Sequence, residues 1–281
     1  MKPLPSLFVS HGSPMLAIED SPARRFLMAW SCRVPRPQAI LVVSAHWQGR
    51  GGPEVSFATK PMTIHDFGGF PRDLYEIHYP ASGAPEQAEQ AAQLLVDSGF
   101  RVGYNAKRGL DHGAWVPLSL MYPKADVPVF QVSLIRNAGP EEHYRLGTAL
   151  GALRKQGVLI IGSGALTHNI QGFADQRPFD PAPLWVTGFV DWMVNTLASG
   201  SNIDLMDYRD RAPFAERNHP TEEHLMPLFV ALGAGGDFPL VDRVHSSNSY
   251  GILAMDAFSF TGRVAVTDRG AVGSASTSLC L

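Results

Sequence analysis

The stretch SLFVSHGSP, residues 6–14, places a histidine directly after an apolar run and at the start of a turn. A continuous apolar run of this kind is typical of a strand buried on both faces of a sheet, and the glycine and proline that follow mark its end. The stretch AILVVSAHW, residues 39–47, repeats this arrangement. In open α/β sheets, ligands bind beyond the carboxyl ends of the strands. We therefore expect His11 and His46 to contribute to one site.

The rest of the chain predicts an α/β fold, because short apolar runs alternate with helical patterns. We expect a mostly parallel central sheet with helices on both faces. Strands are expected at residues 6–10, 39–45, 127–134 and 158–162, with closing strands near 240–245 and 250–260. Helices are expected from Ser21-Pro22, from Pro85 to Gly99, from about Pro140 to Gly157, over 185–198, and over 221–232 with Thr221 as the N-cap. No repeat or linker divides the chain. We expect a single domain over residues 1–262 and a flexible tail, rich in small and polar residues, over 263–281.

Composition argues against several classes of function. The formal net charge is −3, and no long basic run is present, so a nucleic-acid partner is not expected. No segment approaches the ~20 continuous apolar residues of a membrane span, and the N-terminus lacks the apolar core of a signal peptide. Cys32 and Cys280 match neither a disulfide framework nor a zinc knuckle. These features predict a cytoplasmic protein.

Three more histidines extend the candidate site. His168 lies in the turn after the expected fourth strand, His112 in a glycine-containing loop (GLDHGAW), and His224 at the start of an expected helix. Neutral imidazoles bind Zn²⁺, Fe²⁺, Cu²⁺ and Ni²⁺. Three histidines with an open position indicate catalytic zinc, whereas two histidines with a carboxylate, here Glu222 or Glu223, indicate non-haem Fe(II). Spacing alone therefore leaves a zinc hydrolase and an iron oxygenase open.

The remaining histidines carry weaker signals. His65, in TIHDFGGFP, is a candidate for the wall of a pocket. His143 lies beside two glutamates on a predicted amphipathic helix, which indicates a solvated face. A structural or solvent-facing role is expected for His78, His143, His219 and His245.

Aromatic residues accompany the candidate ligands. Trp47 follows His46, Trp115 lies three residues after His112, and Phe67 and Phe70 flank a pair of glycines. If these loops converge, their side chains form a flat apolar slot beside the metal that suits an aromatic ring.

Taken together, SHGSP, PRPQAILVVSAHW, TIHDFGGFP, LDHGAWVPL, GSGALTHN and HPTEEHLMPL closely resemble the class III extradiol ring-cleaving dioxygenases, in particular their DOPA 4,5-dioxygenase-like branch. The resemblance covers residues 7 to about 230 and implies a single α/β domain with a mononuclear non-haem Fe(II) site. By this resemblance, His11, His46 and His224 match the metal ligands. More distant members use a glutamate as the third ligand, which keeps Glu223 as an alternative.

The resemblance also implies roles for the other two histidines and a reaction. His168 matches the family's acid/base histidine, and His112 matches a second histidine of the substrate pocket. The implied reaction opens a catechol ring with O₂ to give a muconic semialdehyde, with His168 accepting a catechol proton and His168 or His112 returning one. Fe(II) is expected for activity, although Zn(II) can occupy such a site in purified protein. The alternatives are a zinc-dependent hydrolase with the same histidines and a non-catalytic binding protein. The sequence leaves the catechol's identity and the oligomeric state open.

Overall fold

The structure, a computed structural model, describes residues 2–177 and 180–262. The segment 263–281, for which a flexible tail is expected, lies outside the described residues. Within the described ranges, no helix combines the length and the apolar character that crossing a membrane requires.

The bounds of the elements are as follows. The strands are Ser6–Ser10 (β1), Ala39–Ser44 (β2), Gln48–Gly49 (β3), Glu54–Ser56 (β4), Gly103–Asn105 (β5), Val129–Gln131 (β6), Leu134–Ile135 (β7), Val158–Gly164 (β8), Leu240–His245 (β9), Asn248–Ser249 (β10), Leu253–Ala254 (β11) and Ala257–Thr261 (β12). The α-helices are Pro22–Trp30 (α1), Arg72–Tyr75 (α2), Pro85–Asp97 (α3), His112–Met121 (α4), Pro140–Leu150 (α5), Leu184–Ser199 (α6), Asn202–Met206 (α7), Tyr208–Arg211 (α8), Ala215–Asn218 (α9) and Met226–Ala234 (α10). Short 3₁₀ helices cover Pro14–Ala17, Ser31–Arg33, Gly151–Gln156 and Ile170–Asp175.

Six strands form the central sheet, in the order β6-β2-β8-β1-β12-β9. β6, β2, β8 and β1 are parallel, whereas β12 is antiparallel to β1 and β9 is antiparallel to β12. The register pairs Ser10 of β1 with Gly164 of β8, and Ser44 of β2 with Ser163 of β8. The loops that follow these three strands therefore leave the sheet at the same edge.

Alternate side chains of β1 pack into two cores on opposite faces of the sheet. Phe8 packs in one core with residues of α5, α6 and α10. Leu7 and Val9 pack in the other core with residues of α1 and α4. Helices thus cover both faces, which is why the strands are continuously apolar. The predicted α/β class, with a mostly parallel sheet and helices on both faces, is confirmed.

Helix α1 begins as predicted. Ser21 is its N-cap, and its hydroxyl accepts a hydrogen bond from the main-chain N–H of Arg24 at 3.2 Å. Pro22 occupies the first turn, where its missing N–H leaves no intrahelical bond unmade.

The predicted start of α10 is wrong. The helix begins at Met226 rather than after Thr221, and Thr221 donates its hydroxyl to Glu223 Oε1 at 3.1 Å instead of capping a helix. Pro227 lies in the first turn of the observed helix, the position that proline tolerates. His224 consequently lies in the turn before the helix.

His112 was expected in a loop, and this expectation is wrong, because it is the first residue of α4. Asp111 is the N-cap of this helix, and its Oδ1 accepts the main-chain N–H of Ala114 at 3.2 Å. Every residue of α4 except Ser119 is buried.

The expectation that His143 lies on a solvated face is also wrong, because its side chain is buried. Its Nδ1 donates to the carbonyl of Gly139 at 2.8 Å, and its Nε2 accepts the main-chain N–H of Ile135 at 3.1 Å. These two bonds tie the start of α5 to β7.

Candidate metal centre

The candidate ligands lie at the edge where the parallel strands end. His11 follows β1 directly, and its main-chain N–H donates to the carbonyl of Gly164 at the end of β8 at 2.9 Å. Gly12 then turns the chain with φ +57°, a left-handed conformation that favours glycine. His46 lies two residues beyond β2, and His224 lies in the turn before α10.

The side chains of His11, His46 and His224 lie close together. The Nε2 atoms of His11 and His46 are 3.0 Å apart. The ring centroids are separated by 5.0 Å for His11 and His46, 5.6 Å for His11 and His224, and 4.9 Å for His46 and His224. One nitrogen from each ring lies within 4.8 Å of the other two, a spacing that allows all three to bind one ion.

Hydrogen bonds fix the tautomer of His11. Its Nδ1 is 3.0 Å from the hydroxyl of Ser163, and that hydroxyl donates its own proton to the carbonyl of Gly113. Because a serine hydroxyl carries one proton, it accepts from His11 Nδ1–H. The Nε2 of His11 is therefore the unprotonated nitrogen, and it faces His46.

A hydrogen bond also fixes the tautomer of His224. Its Nδ1 lies 2.8 Å from Glu223 Oε1, and a carboxylate accepts, so Nδ1 carries the proton. Metal-binding histidines usually donate their second nitrogen to a carboxylate, a carbonyl or a water in this way. His11 and His224 thus both present a free Nε2 lone pair.

The turn that carries His46 rests on a buried polar network. The main-chain N–H of His46 donates to the hydroxyl of Ser44 at 3.2 Å, and that hydroxyl donates to Asp111 at 2.6 Å. Arg108 binds Asp111 at 2.5 Å and the carbonyl of His46 at 3.4 Å. Gly113 is required beside this network, because a Cβ there would lie 2.4 Å from the Ser44 hydroxyl.

The three candidate ligands are held neutral. Burial, followed by the neighbouring histidines, lowers the pKa of His11 and of His224 well below the ordinary value. Burial and His112 lower the pKa of His46 to about 4, against the opposing effect of Asp111 and Asp66. Neutral imidazoles with oriented lone pairs are the donors that a divalent transition metal requires. The residues present therefore fit a metal ion.

Two further histidines border the triad. His112 donates both its main-chain N–H, at 2.9 Å, and its Nδ1–H, at 3.0 Å, to Oδ1 of Asp66. Although burial opposes it, these hydrogen bonds lower the pKa of Asp66 to about 2. His168 stacks on His224, with ring centroids 3.4 Å apart and planes 10° apart. Burial lowers the pKa of His168.

A cavity of about 540 Å³ opens beside these histidines. Its walls are formed by Gly12, Ser13, Pro14, Met15, His46, Asp66, Phe67, Gly68, Phe70, His112, His168, Ile170, His224, Tyr250 and Leu253. The volume accommodates a single-ring aromatic compound.

The residues predicted for the pocket fall into two groups. Phe67 and Phe70 line the cavity. Trp115 lies behind Phe67, fully buried, and donates its indole N–H to a main-chain carbonyl. Trp47 is buried beneath the guanidinium of Arg108, whose central carbon lies 5.1 Å from its ring.

His65 lies in the layer behind the cavity wall. Its Nε2 is 3.0 Å from the carbonyl of Ile77, and its ring is 5.8 Å from that of Phe67.

The sequence reasoning missed Asp66, which contacts two of the histidines of this centre. A carboxylate next to His65 in TIHDFGGFP was the available signal, because histidines at metal centres commonly pair with carboxylates. It also missed Met15, Ile170 and Tyr250. Met15 and Ile170 follow His11 and His168 by four and two residues, and Tyr250 lies in a loop near the end of the described residues. Their residue types gave no signal of a site, and the packing of the loops brings them to the cavity.

Comparison with known proteins identifies the family to which this chain belongs. The model of the family described as the catalytic LigB subunit of aromatic ring-opening dioxygenase matches residues 5–258. The chain belongs to this family. The match includes all the histidines of the centre, and the LigB family, together with the histidine cluster, supports a catalytic metal. The predicted activity class, an extradiol ring-opening dioxygenase, is confirmed.

The names of individual relatives of this LigB-family chain agree with the activity class of the family. A protein of Beta vulgaris named 4,5-DOPA dioxygenase extradiol is 44% identical over 260 residues, which cover 91% of this chain and 96% of that protein. A protein of Escherichia coli K12 with the same name is 39% identical over 234 residues, covering 82% and 85%. These matches confirm the predicted resemblance to the DOPA 4,5-dioxygenase-like branch.

A solved structure shares the fold. The crystal structure of an uncharacterised protein of Escherichia coli K12 superposes on this LigB-family chain with a TM-score of 0.77, at 32% identity. The match covers 91% of this chain and 99% of that one.

Proposed function

We propose that this protein opens the ring of a DOPA-like catechol with O₂, next to the diol, to give a muconic semialdehyde. His11, His46 and His224 would hold the catalytic Fe(II). The observation that carries the proposal is the convergence of one nitrogen from each of these three rings within 4.8 Å, at the wall of the cavity. The names of the relatives support the choice of a DOPA-like catechol.

A bound Fe(II) would supply a Lewis acid that lowers the pKa of the catechol hydroxyls and a common binding point for catechol and O₂. The three neutral histidines add no charge of their own. The substrate would therefore balance the positive charge of the metal. This favours a substrate that binds the metal through two oxygens and carries negative charge, as an ionised catechol does.

His168 would accept a proton from the catechol. Burial lowers its pKa, so its ring is neutral and able to accept at neutral pH. Its ring stacks on that of His224, so it would be close to a catechol bound by the proposed metal.

His112 would take over at Nε2 the proton that His168 accepted and return it to the product, so that both rings regain their starting state. Asp66 occupies its Nδ1–H, so any exchange of a proton takes place at Nε2. His112 lines the cavity, and its Nε2 makes no hydrogen bond to another described residue. We assign His112 as the proton donor, with Asp66 as its positioning residue.

Phe67 and Phe70 would hold the flat ring. Both line the cavity, and their rings pack edge to face with centroids 5.4 Å apart. Together with Leu253 they give an apolar wall that excludes water from the reacting carbons.

The test is oxygen uptake by protein loaded anaerobically with Fe(II) and then supplied with DOPA. We expect one O₂ consumed per DOPA and a new yellow product whose mass equals the sum of both reactants. Protein loaded with Zn(II) is the matched control and should consume none. Absence of uptake with one Fe(II) bound per chain would refute ring cleavage, and ester or amide hydrolysis by the Zn(II) form would support the hydrolase instead.

A further inference from the structure

The segment that carries His168 is bonded to the end of helix α9. Residues 166–169 lie shortly after β8 in the chain. The main-chain N–H of His168 donates to the carbonyl of Asn218 at 2.9 Å. The side-chain amide of Asn169 donates to the carbonyl of Arg217 at 2.7 Å. The two segments are therefore joined at His168 and at the residue after it.

A third bond between these segments comes from the side chain of His219. Its Nε2 lies 2.9 Å from the carbonyl of Leu166. Because a carbonyl oxygen only accepts, Nε2 carries the proton and donates it. Burial lowers the pKa of His219 to about 4, against the opposing effect of this hydrogen bond. The ring is therefore neutral at neutral pH, with its proton on Nε2.

The other ring nitrogen of His219 makes no comparable contact. The side chain is fully buried, and its Nδ1 forms no hydrogen bond within the part of the chain that the structure describes. Burying a polar nitrogen without a protein partner is unfavourable. The ring also packs beside Phe189, with centroids 5.6 Å apart, so a phenyl ring would suit these surroundings. What a histidine adds here is the Nε2–H bond to Leu166.

The same segment is tied to the candidate metal centre at its beginning. The main-chain N–H of Ala165 donates to the carbonyl of His224 at 2.8 Å, and that of Leu166 donates to the hydroxyl of Ser10 at 3.1 Å. The N–H of Leu166 is thus held on the side of the metal centre, and its carbonyl is held by His219. Without the second bond, the peptide that follows Leu166 would be free to turn, two residues before the proposed proton acceptor.

We infer that His219 is a positioning residue for His168, which it holds in place through the Nε2–H bond to Leu166. This inference rests on the proposed function, in which His168 accepts a catechol proton beside the metal. Proton transfer needs the two heavy atoms within about 2.6–3.2 Å, so a small displacement of the segment takes the ring out of range. His219 itself neither lines the cavity nor belongs to the candidate metal ligands. It should therefore affect kcat and leave metal binding unchanged.

Two substitutions of His219 separate the hydrogen bond from the packing. His219→Phe keeps a flat ring beside Phe189 and removes the donor, whereas His219→Gln keeps an N–H that can reach the Leu166 carbonyl. We expect His219→Phe to lower kcat per bound iron about tenfold, the effect of one hydrogen bond. The Fe(II) content and the KM for DOPA should stay at the wild-type values. His219→Gln should recover most of the lost kcat, and failure to do so would contradict the inference.

The matched control is His143→Phe. His143 is also buried, and its ring also donates to a main-chain carbonyl, that of Gly139. This variant should keep the wild-type kcat per bound iron. If it loses as much as His219→Phe, the loss reflects general destabilisation, and the positioning role is refuted.

Combination with His168→Ala tests whether His219 acts through His168. Product formation over several hours is compared for wild type, His219→Phe, His168→Ala and the double variant, each with saturating Fe(II). If His219 acts through His168, adding His219→Phe to His168→Ala should lower the rate no further. A residue that only supports the fold would lower the rate tenfold in both backgrounds, and that result would overturn the inference.

Hydrogen exchange tests the bond without turnover. The amides of residues 166–169 should exchange about tenfold faster in His219→Phe than in wild type, because the segment opens more often. His219→Gln and His143→Phe should keep the wild-type exchange rates there. Equal exchange in wild type and His219→Phe would refute the inference.

The two readouts distinguish this inference from the proposed function. If wild type cleaves no DOPA while exchange is faster in His219→Phe alone, ring cleavage is refuted, and the role of His219 in holding the segment of His168 is upheld. If wild type cleaves DOPA and His219→Phe keeps the wild-type kcat, ring cleavage is upheld and the positioning role is refuted.

Discussion

Asp66 binds His112 twice through a single carboxylate oxygen, once at the main-chain N–H and once at Nδ1–H. Its other oxygen, Oδ2, lies 3.6 Å from Nδ1 of His46. One carboxylate therefore orients a proposed proton donor and also lies beside a proposed metal ligand. We therefore expect a substitution of Asp66 to affect both residues.

Asp66→Asn should lower kcat by about 10²-fold, because the amide lacks the charge that holds Nδ1–H of His112 and leaves Nε2 less well placed. It should weaken metal affinity by ~10-fold through His46. Steady-state kinetics with saturating Fe(II), together with metal titration, measures both effects. The control is Asp73→Asn, an exposed aspartate of α2. An unchanged kcat in Asp66→Asn would show that His112 needs no orienting carboxylate.

His46→Ala should abolish uptake of Fe(II), because the two remaining imidazoles, with no third nitrogen, give a much weaker site. Metal content after dialysis, measured by mass spectrometry, checks this. His78 is exposed, and His78→Ala removes an imidazole without touching the centre. A His46→Ala protein that retains one iron per chain would contradict the assignment of His46 as a ligand.

His224→Ala and Glu223→Gln separate the two candidates for the third ligand. Glu223 is engaged by the Nδ1–H of His224 and by the hydroxyl of Thr221, so we expect it to orient the ligand rather than bind the metal. Glu223→Gln should lower metal affinity by about 10- to 100-fold, whereas His224→Ala should eliminate metal binding. The reverse order of metal content would identify Glu223 as the ligand.

His168→Ala should retain Fe(II) and lose activity. As a proton acceptor, His168 contributes ~10²- to 10⁴-fold to the rate, and its removal leaves the other three histidines in place. Metal content and kcat, measured on the same preparation, decide the role. Equal loss of both would indicate that His168 is a ligand.

The strand ends were predictable because they depend on local signals. The apolar run of β1 is buried on both faces, and the turn after it needs a left-handed residue, so Gly12 marks the point where His11 leaves the sheet. His46 follows β2 by the same pattern. The order of the strands along the chain and their burial were therefore enough to predict that these two histidines lie at one edge of the sheet.

Other features were not predictable because tertiary contacts decide them. Helix α4 is buried along nearly its whole length, so its sequence has no polar face from which to infer a helix that begins at His112. Asp66 lies 46 residues from His112 along the chain, and no local pattern indicates that they meet. The position of Tyr250 in the cavity wall likewise depends on how its loop packs against the segment of Glu19.

The buried His143 predicts loss of stability in acid. Burial lowers its pKa to about 4, against an ordinary value of 6.5. Because the unfolded chain binds the proton more readily, the contribution of His143 is complete above about pH 6.5 and declines as the pH falls toward 4. At about pH 5 it should amount to a loss of ~2 kcal/mol in the free energy of unfolding.

His143→Gln removes this titration while keeping an amide that can bond Gly139 or Ile135. We expect the variant to be less stable than wild type at about pH 7.5, by ~1 kcal/mol for a lost hydrogen bond, and to lose less stability than wild type on acidification. Urea unfolding at the two pH values checks this, and the comparison cancels the titration of the histidines that both proteins share, including the buried His219. An equal acid-induced loss in both proteins would show that His143 is protonated in the native state, in conflict with its acceptance of the Ile135 N–H.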